Sequence, residues 1–139
     1  MTQESTLELT LTLPWPPSVN HYKTIGALTK TKSGKLYQKR VNSRETIGYY
    51  YQVFMHVKQL MPLEWAKIPD DGTKAFFVGI DLYPPNKRRY DIDNRLKVLL
   101  DSLVHANVIK DDHQIHRLFV QKMRTIGEGK VVVRIQELI

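Results

Sequence analysis

The stretch Pro84-Pro85-Asn86-Lys87-Arg88-Arg89-Tyr90-Asp91-Ile92-Asp93-Asn94-Arg95 runs three consecutive cations almost directly into two aspartates spaced i, i+2. Lys87, Arg88 and Arg89 can hold phosphates. Asp91 and Asp93 supply the hard oxygen donors that Mg²⁺ and Mn²⁺ accept, with positions left for water and a phosphate oxygen. The structural alternative is that the aspartates cap the helix that follows and pair with the arginines; an isolated Asp-x-Asp does not decide between the two. Asp93, Lys97 and Asp101 follow at steps of four and so share a helical face. As an exposed ladder they contribute only ~0.3 to 0.5 kcal/mol per pair. In a site, Lys97 would instead stabilise charge developing on a scissile phosphate or its leaving oxygen. Asp111-Asp112 offers a further carboxylate, or simply a turn.

His105, His113 and His116 fall near this region, match no zinc-ligand spacing, and read as polar surface residues. The chain has no cysteine, no P-loop and no Gly-x-Ser-x-Gly. Hydrolysis by metal-activated water is therefore the most economical enzymatic chemistry.

The elements that must position these residues can be read from periodicity. Leu7, Leu9, Leu11 and Leu13 alternate with Glu8, Thr10 and Thr12, which predicts a strand ended by Pro14. Pro14-Trp15-Pro16-Pro17-Ser18 is a rigid loop, because proline removes a donor and holds its predecessor extended. Gly26, Ser33 and Gly34 punctuate a lysine-rich loop or hairpin. From Ser43 onward Ile47, Tyr50, Tyr51, Phe54, Val57 and Met61 recur at helical spacing; Asn42 with Glu45 resembles a capping box at the start, and Pro62 ends the helix. Pro69-Asp70-Asp71-Gly72 has turn chemistry. Phe76, Val78, Ile80 and Leu82 predict a second strand, stopped by Pro84-Pro85. A second helix over about 94–106 buries Leu96, Leu99, Leu100 and Leu103. Residues from about 114 to 123 and 130 to 136 read as a closing hairpin joined through Gly127-Glu128-Gly129. The order strand, helix, strand, helix, strand, strand predicts one α+β domain over 1–139, with two main helices and a mixed sheet of about four strands.

The 139 residues are 42% hydrophobic, enough for a modest core without staples. The absence of cysteine suits a reducing compartment. Met1 to Thr6 are unlike a signal peptide, and no apolar run approaches the ~20 residues of a membrane span, so a soluble cytoplasmic protein is expected. The net charge is +7 and the pI about 9.6. From Leu9 to Arg44 there is no acidic residue, whereas Lys23, Lys30, Lys32, Lys35, Lys39, Arg40 and Arg44 are basic and interleaved with Tyr22 and Tyr37. A one-sign segment without an amphipathic stripe fits a polyanion better than a membrane, and Lys23, Lys30, Lys32 and Lys35 join Lys87, Arg88 and Arg89 as candidate nucleic-acid contacts.

Taken in order, these residues resemble the RusA family of Holliday junction resolvases. The likeness spans nearly the whole chain: an opening strand into Leu13-Pro14-Trp15-Pro16-Pro17-Ser18 with Asn20 soon after, a basic run into Asp91-Ile92-Asp93-Asn94, Lys97 and Asp101 on a helix, then Asp111-Asp112 before a final hairpin. The resemblance implies catalytic, metal-holding carboxylates at Asp91, Asp93 and Asp112, an essential lysine at Lys97, and Mg²⁺ or Mn²⁺ without an organic cofactor. It also implies a homodimer that nicks four-way DNA junctions symmetrically in recombination and repair. Tyr90 departs from the uninterrupted arginine run common in the family, and the loop from Lys23 to Lys39 is longer than a minimal member needs. The competing readings are a nuclease of the same chemistry acting on other branched DNA, and a non-catalytic DNA-binding protein. An RNA-binding module would want an aromatic Lys/Arg-Gly-Phe sheet motif, which is missing.

Overall fold

The computed structural model describes residues 7–18, 23–66 and 70–139, the side chains of 23–25, 27 and 38–40 excepted. Leucine alternation produces β1 (Glu8–Pro14), in which Leu9, Leu11 and Leu13 are buried and the residues between them face outward. β1 pairs antiparallel with β6 (Lys130–Leu138), β6 antiparallel with β4 (Ala75–Tyr83), and β4 parallel with β5 (Ile115–Lys122). The resulting four-stranded mixed sheet has the order β1-β6-β4-β5. One face joins Val53 and Val57 of α1 (Arg44–Leu60) and Val98, Leu99 and Leu103 of α3 (Leu96–His105) in a single buried cluster. This is the α+β architecture expected, with two main helices.

The lysine-rich segment forms a hairpin of its own. β2 (Lys23–Lys30) and β3 (Leu36–Asn42) pair antiparallel as a separate two-stranded sheet, closed by a turn in which Gly34 takes φ +85°. Lys30, Lys32 and Lys35 are exposed around that turn; the side chain of Lys23, and Asn20, lie outside the described residues. A short helix, α2 (Leu63–Ala66), interrupts the connection that sequence reads as irregular, and its buried Trp65 donates Nε1–H to the Val108 carbonyl at 3.0 Å.

Two expectations are corrected. β5 and β6 are not a hairpin, because β4 lies between them. The physical reason is burial: β4 is covered without a break from Val78 to Leu82 and must be central, while β5 is largely exposed and takes the edge. The β5–β6 connection instead passes over the end of β4, with Met123 N–H bonded to the Leu82 carbonyl at 2.7 Å and Ile126 N–H to the Pro84 carbonyl at 3.0 Å. Gly129 (φ +82°) permits this close passage, since a Cβ there would meet Pro85 Cδ at 2.9 Å and Trp15 Cβ at 3.0 Å.

The second correction is the phase of α1. Its cap is Ser43, whose side chain accepts from Thr46 N–H, one residue beyond the Asn42–Glu45 pairing. The buried stripe is Thr46, Tyr49, Tyr50, Val53 and Val57. Ile47, Tyr51 and Phe54 are 56%, 65% and 37% exposed. The helix carries apolar residues on two faces, and hydrophobicity alone does not say which one meets the sheet. Among the described residues no helix is long and apolar enough to cross a membrane.

Candidate active site

β4 delivers the chain through Pro84-Pro85 into the cationic loop, where Lys87, Arg88 and Arg89 are all exposed. A 3-10 turn over Ile92–Arg95 follows and leads straight into α3. Asp91 occupies the N-cap position of that turn but makes no side-chain capping bond, and Asp93 lies inside the turn and caps neither element. Both aspartates are exposed. The capping account of this Asp-x-Asp is thereby set aside.

What holds the turn is the proline-rich loop after β1. Asn94 Nδ2 donates to Ser18 Oγ at 3.2 Å, and Arg95 Nη1 donates to the Pro16 carbonyl at 2.9 Å. The Arg95 guanidinium sits 5.4 Å from the Trp15 ring, and Trp15 in turn meets Tyr90 edge-to-face at 5.4 Å. Burial lowers the pKa of Arg95, partly offset by Glu45, and raises that of Tyr90. On the other side Lys122 Nζ donates to the Tyr90 carbonyl at 2.6 Å and lies 4.5 Å from its ring. The two most distinctive sequence motifs, 76 residues apart, thus meet directly. Trp15, Ser18, Tyr90, Asn94 and Arg95 position the aspartates, a role that sequence reasoning did not assign. Their signal was composition: a tryptophan among prolines and an arginine directly after Asp-Ile-Asp-Asn.

An open cleft of about 220 Å³ lies beside α3, lined by Lys97, Asp101, Val104, His105, Asp111 and Asp112. It gathers Lys97, Asp101 and Asp112, while Asp91 and Asp93 are outside its lining. Lys97 Nζ lies 3.3 Å from Asp101 Oδ1, so the i,i+4 pair is real, with Asp101 the more buried partner. Asp111 caps a 3-10 turn over Asp112–Gln114, accepting from His113 N–H at 3.0 Å and pairing with His113 Nδ1 at 2.9 Å. These bonds push the Asp111 carboxyl down to about 2 and raise the His113 imidazole above its ordinary value. Asp112 is exposed and is not the cap.

The histidines take separate roles: His105 stacks on Tyr50 at 4.3 Å, His113 pairs with Asp111, and His116 is exposed on β5. Among the described residues no group of three or more His, Cys, Asp or Glu side chains is placed to hold a metal ion. Sequence reasoning also missed Lys122, Arg124 and Lys130, which surround the rings of Tyr90 and Tyr83 at the same end of the sheet and add positive charge there.

The chain matches the family model for endodeoxyribonuclease RusA over residues 14–136. It is 30% identical over 134 residues to a crossover junction endodeoxyribonuclease rusA of Enterobacteria phage HK97, covering 94% of this chain and 96% of that protein. The crossover junction endodeoxyribonuclease RusA of Escherichia coli strain K12 is 27% identical over 130 residues, with 92% and 93% covered. That of Enterobacteria phage 82 is 28% identical over 130 residues, again with 92% and 93% covered. The chain belongs to the RusA family of endodeoxyribonucleases.

Proposed function

We propose that this chain is a Holliday junction resolvase, a structure-specific endodeoxyribonuclease that nicks four-way DNA in recombination and repair. The observation that carries the reading is the turn at Asp91–Arg95: it is held from outside by Ser18, Pro16 and Trp15, so that neither aspartate is needed to cap a helix. The donor type suits Mg²⁺ or Mn²⁺, being carboxylate oxygen from Asp91, Asp93 and Asp112 in a chain without cysteine, although among the described residues the three are not gathered into one ligand set and would have to close around the cation. When bound, the cation supplies charge against phosphate oxygens and makes water nucleophilic at neutral pH. Lys97 contributes a cation at the cleft wall that answers charge developing on the phosphate, while Asp101 fixes where its ammonium lies. Lys87, Arg88 and Arg89 hold the flanking phosphates, and the lysines of the β2–β3 hairpin reach a further arm of the junction.

Each subunit brings one copy of these residues, and two ligatable products need paired nicks about the junction's two-fold axis. The working form is therefore a symmetric homodimer in the cytoplasm, with no organic cofactor. The decisive experiment incubates the protein with a synthetic four-way junction and with linear duplex of the same sequence, each in Mg²⁺ and in chelator. Paired nicks in the junction alone, and only with metal, are expected. Equal cutting of both DNAs removes the junction assignment, and cutting in chelator removes the metal.

A further inference from the structure

Gln114 is 1% exposed, follows the Asp111-Asp112 pair by two residues, and has every polar group of its amide engaged. Its Oε1 accepts from Lys110 N–H at 2.8 Å and from Asp111 N–H at 3.0 Å. Its Nε2 donates to the Asp70 carboxylate at 3.1 and 3.2 Å and to the Lys74 carbonyl at 3.2 Å. The partners fix which way the amide faces, since a flipped amide would oppose its NH₂ to two backbone N–H groups. Asp70 is itself anchored, accepting from Gly72 N–H at 2.9 Å. A buried amide this fully bonded is rigid, and removing one partner leaves others unsatisfied in the interior.

We infer that Gln114 and Asp70 are positioning residues for the Asp112 carboxylate: the Gln114 amide ties the turn that carries Asp112 to the loop before β4, and so sets where that carboxylate stands when a divalent cation is bound. The inference rests on Asp112 being one of the metal-holding carboxylates. It reaches beyond the ligands to the residues that orient them, whose loss in other metal sites costs about 10- to 100-fold in metal affinity or activity. Asp111 has the complementary task, its side chain capping the same turn from outside.

The test exchanges the donor and acceptor of the Gln114–Asp70 bond. Gln114→Glu sets two carboxylates face to face. Combining it with Asp70→Asn restores a bond of reversed direction, and the carbonyl oxygen of the introduced asparagine stays free to accept from Gly72. Four quantities are measured on the full chain: the Mn²⁺ concentration for half-maximal junction cleavage, Mn²⁺ binding by calorimetry without DNA, junction affinity in chelator, and melting temperature. Gln114→Glu is expected to need about 10- to 100-fold more Mn²⁺ for cleavage and to bind Mn²⁺ correspondingly more weakly, with junction affinity in chelator held. The double variant is expected to return part of the way, since it restores the bond to residue 70 while the Lys74 carbonyl still lacks the donor that Gln114 gave it. Asp70→Asn alone is the milder probe should Gln114→Glu not fold, and it is expected to shift the Mn²⁺ requirement in the same direction. A fall in melting temperature with an unchanged Mn²⁺ requirement in the folded variants overturns the inference. Asp112→Asn run alongside separates the two ideas. If it cleaves normally, the reading of Asp112 falls and takes the inference with it. If it is inactive while the Gln114 and Asp70 variants keep the wild-type Mn²⁺ dependence, the inference alone falls.

Discussion

The two aspartate pairs are built in opposite ways. At Asp91 and Asp93 both carboxylates are left out of the local structure, and the turn is held by other residues: Asn94 on Ser18, Arg95 on the Pro16 carbonyl, Tyr90 against Trp15. At Asp111 and Asp112 one carboxylate caps the turn while its neighbour, the first residue of that turn, does not, and a buried glutamine secures the backbone from beneath. Where the chain can borrow a distant loop as a brace, both acids remain available for chemistry. Where it cannot, one acid serves the fold. The local geometry thus treats two adjacent aspartates differently, giving the cap to Asp111 and not to Asp112.

The largest effect expected from breaking this asymmetry is at Asp112. Asp112→Asn keeps the shape but removes the charge a cation needs, so single-turnover cleavage in saturating Mg²⁺ should fall by orders of magnitude, with junction binding kept or strengthened as repulsion of phosphate is relieved. Asp111→Asn should cost far less, since an Asn at an N-cap still accepts from the backbone. An inactive Asp111 variant beside an active Asp112 variant would reverse the comparison.

Lys97→Ala comes next. A group acting on the transition state affects rate more than ground-state affinity, so the variant should bind junctions in chelator nearly as well as wild type and cut them about 10²-fold or more slowly. A lowered melting temperature with an unchanged rate would leave Lys97 as nothing more than the partner of Asp101. A smaller loss is expected from Arg95→Ala, which removes the bond to Pro16 and the packing against Trp15 that brace the first pair. Stability should fall by about 1 to 3 kcal/mol, because the Pro16 carbonyl loses its partner, and cleavage should fall with it. Unchanged cleavage would show that the Asp91–Asp93 turn needs no brace.

Replacing Lys30, Lys32 and Lys35 together by Ala should flatten the dependence of junction affinity on salt, by up to about one unit of slope for each phosphate that is no longer neutralised. The slope is read from binding titrations in chelator, and an unchanged slope would detach this hairpin from the DNA.

Much of this was legible in the sequence, for identifiable reasons. β1 and β4 were readable because Leu9, Leu11, Leu13 and Val78, Ile80, Leu82 keep a strict period of two against one core face. The run of Lys87, Arg88 and Arg89 into Asp91 and Asp93 was legible because it is contiguous in sequence, whereas the 3-10 turn that carries the two aspartates reads in sequence as the start of a helix. Strand order was not, since the alternation of β5 and β6 says which way their side chains face and nothing about what separates them. The phase of α1 was hidden because Ile47, Tyr51 and Phe54 are as apolar as the residues that are buried. The brace between Ser18 and Asn94 was invisible because local patterns carry no information about partners 76 residues apart. Gln114 was hidden for a different reason: a buried, fully bonded amide looks in sequence like any polar residue beginning a strand.

The smallest expected effect is the most local, and it concerns the carboxylate assigned to the fold. Asp111 and His113 form one interaction read from both ends, with the Asp111 carboxyl lowered to about 2 and the His113 imidazole raised above 6.5. For Asp111 the depressed value means a stabilising contribution that is present above the ordinary carboxylate value of 3.8 and is lost as pH falls toward 2. For His113 the raised value means a contribution that is complete below 6.5 and is lost as pH rises through the elevated folded-state value. The pair is therefore at full strength in the mildly acidic window between these limits. Both side chains are exposed, at 67% for His113 and 57% for Asp111, so solvent screens the pair and global stability should barely register it. A proton NMR titration of the His113 ring registers it directly. The wild-type midpoint should lie above 6.5, held there mainly by Asp111 with smaller contributions from the Gly72 backbone and Asp112, and in Asp111→Asn it should move back toward the ordinary histidine value. Equal midpoints in the two proteins would mean that Asp111 is not tied to His113. The distinction between a carboxylate serving the fold and one left for chemistry would then have to rest on the backbone cap alone.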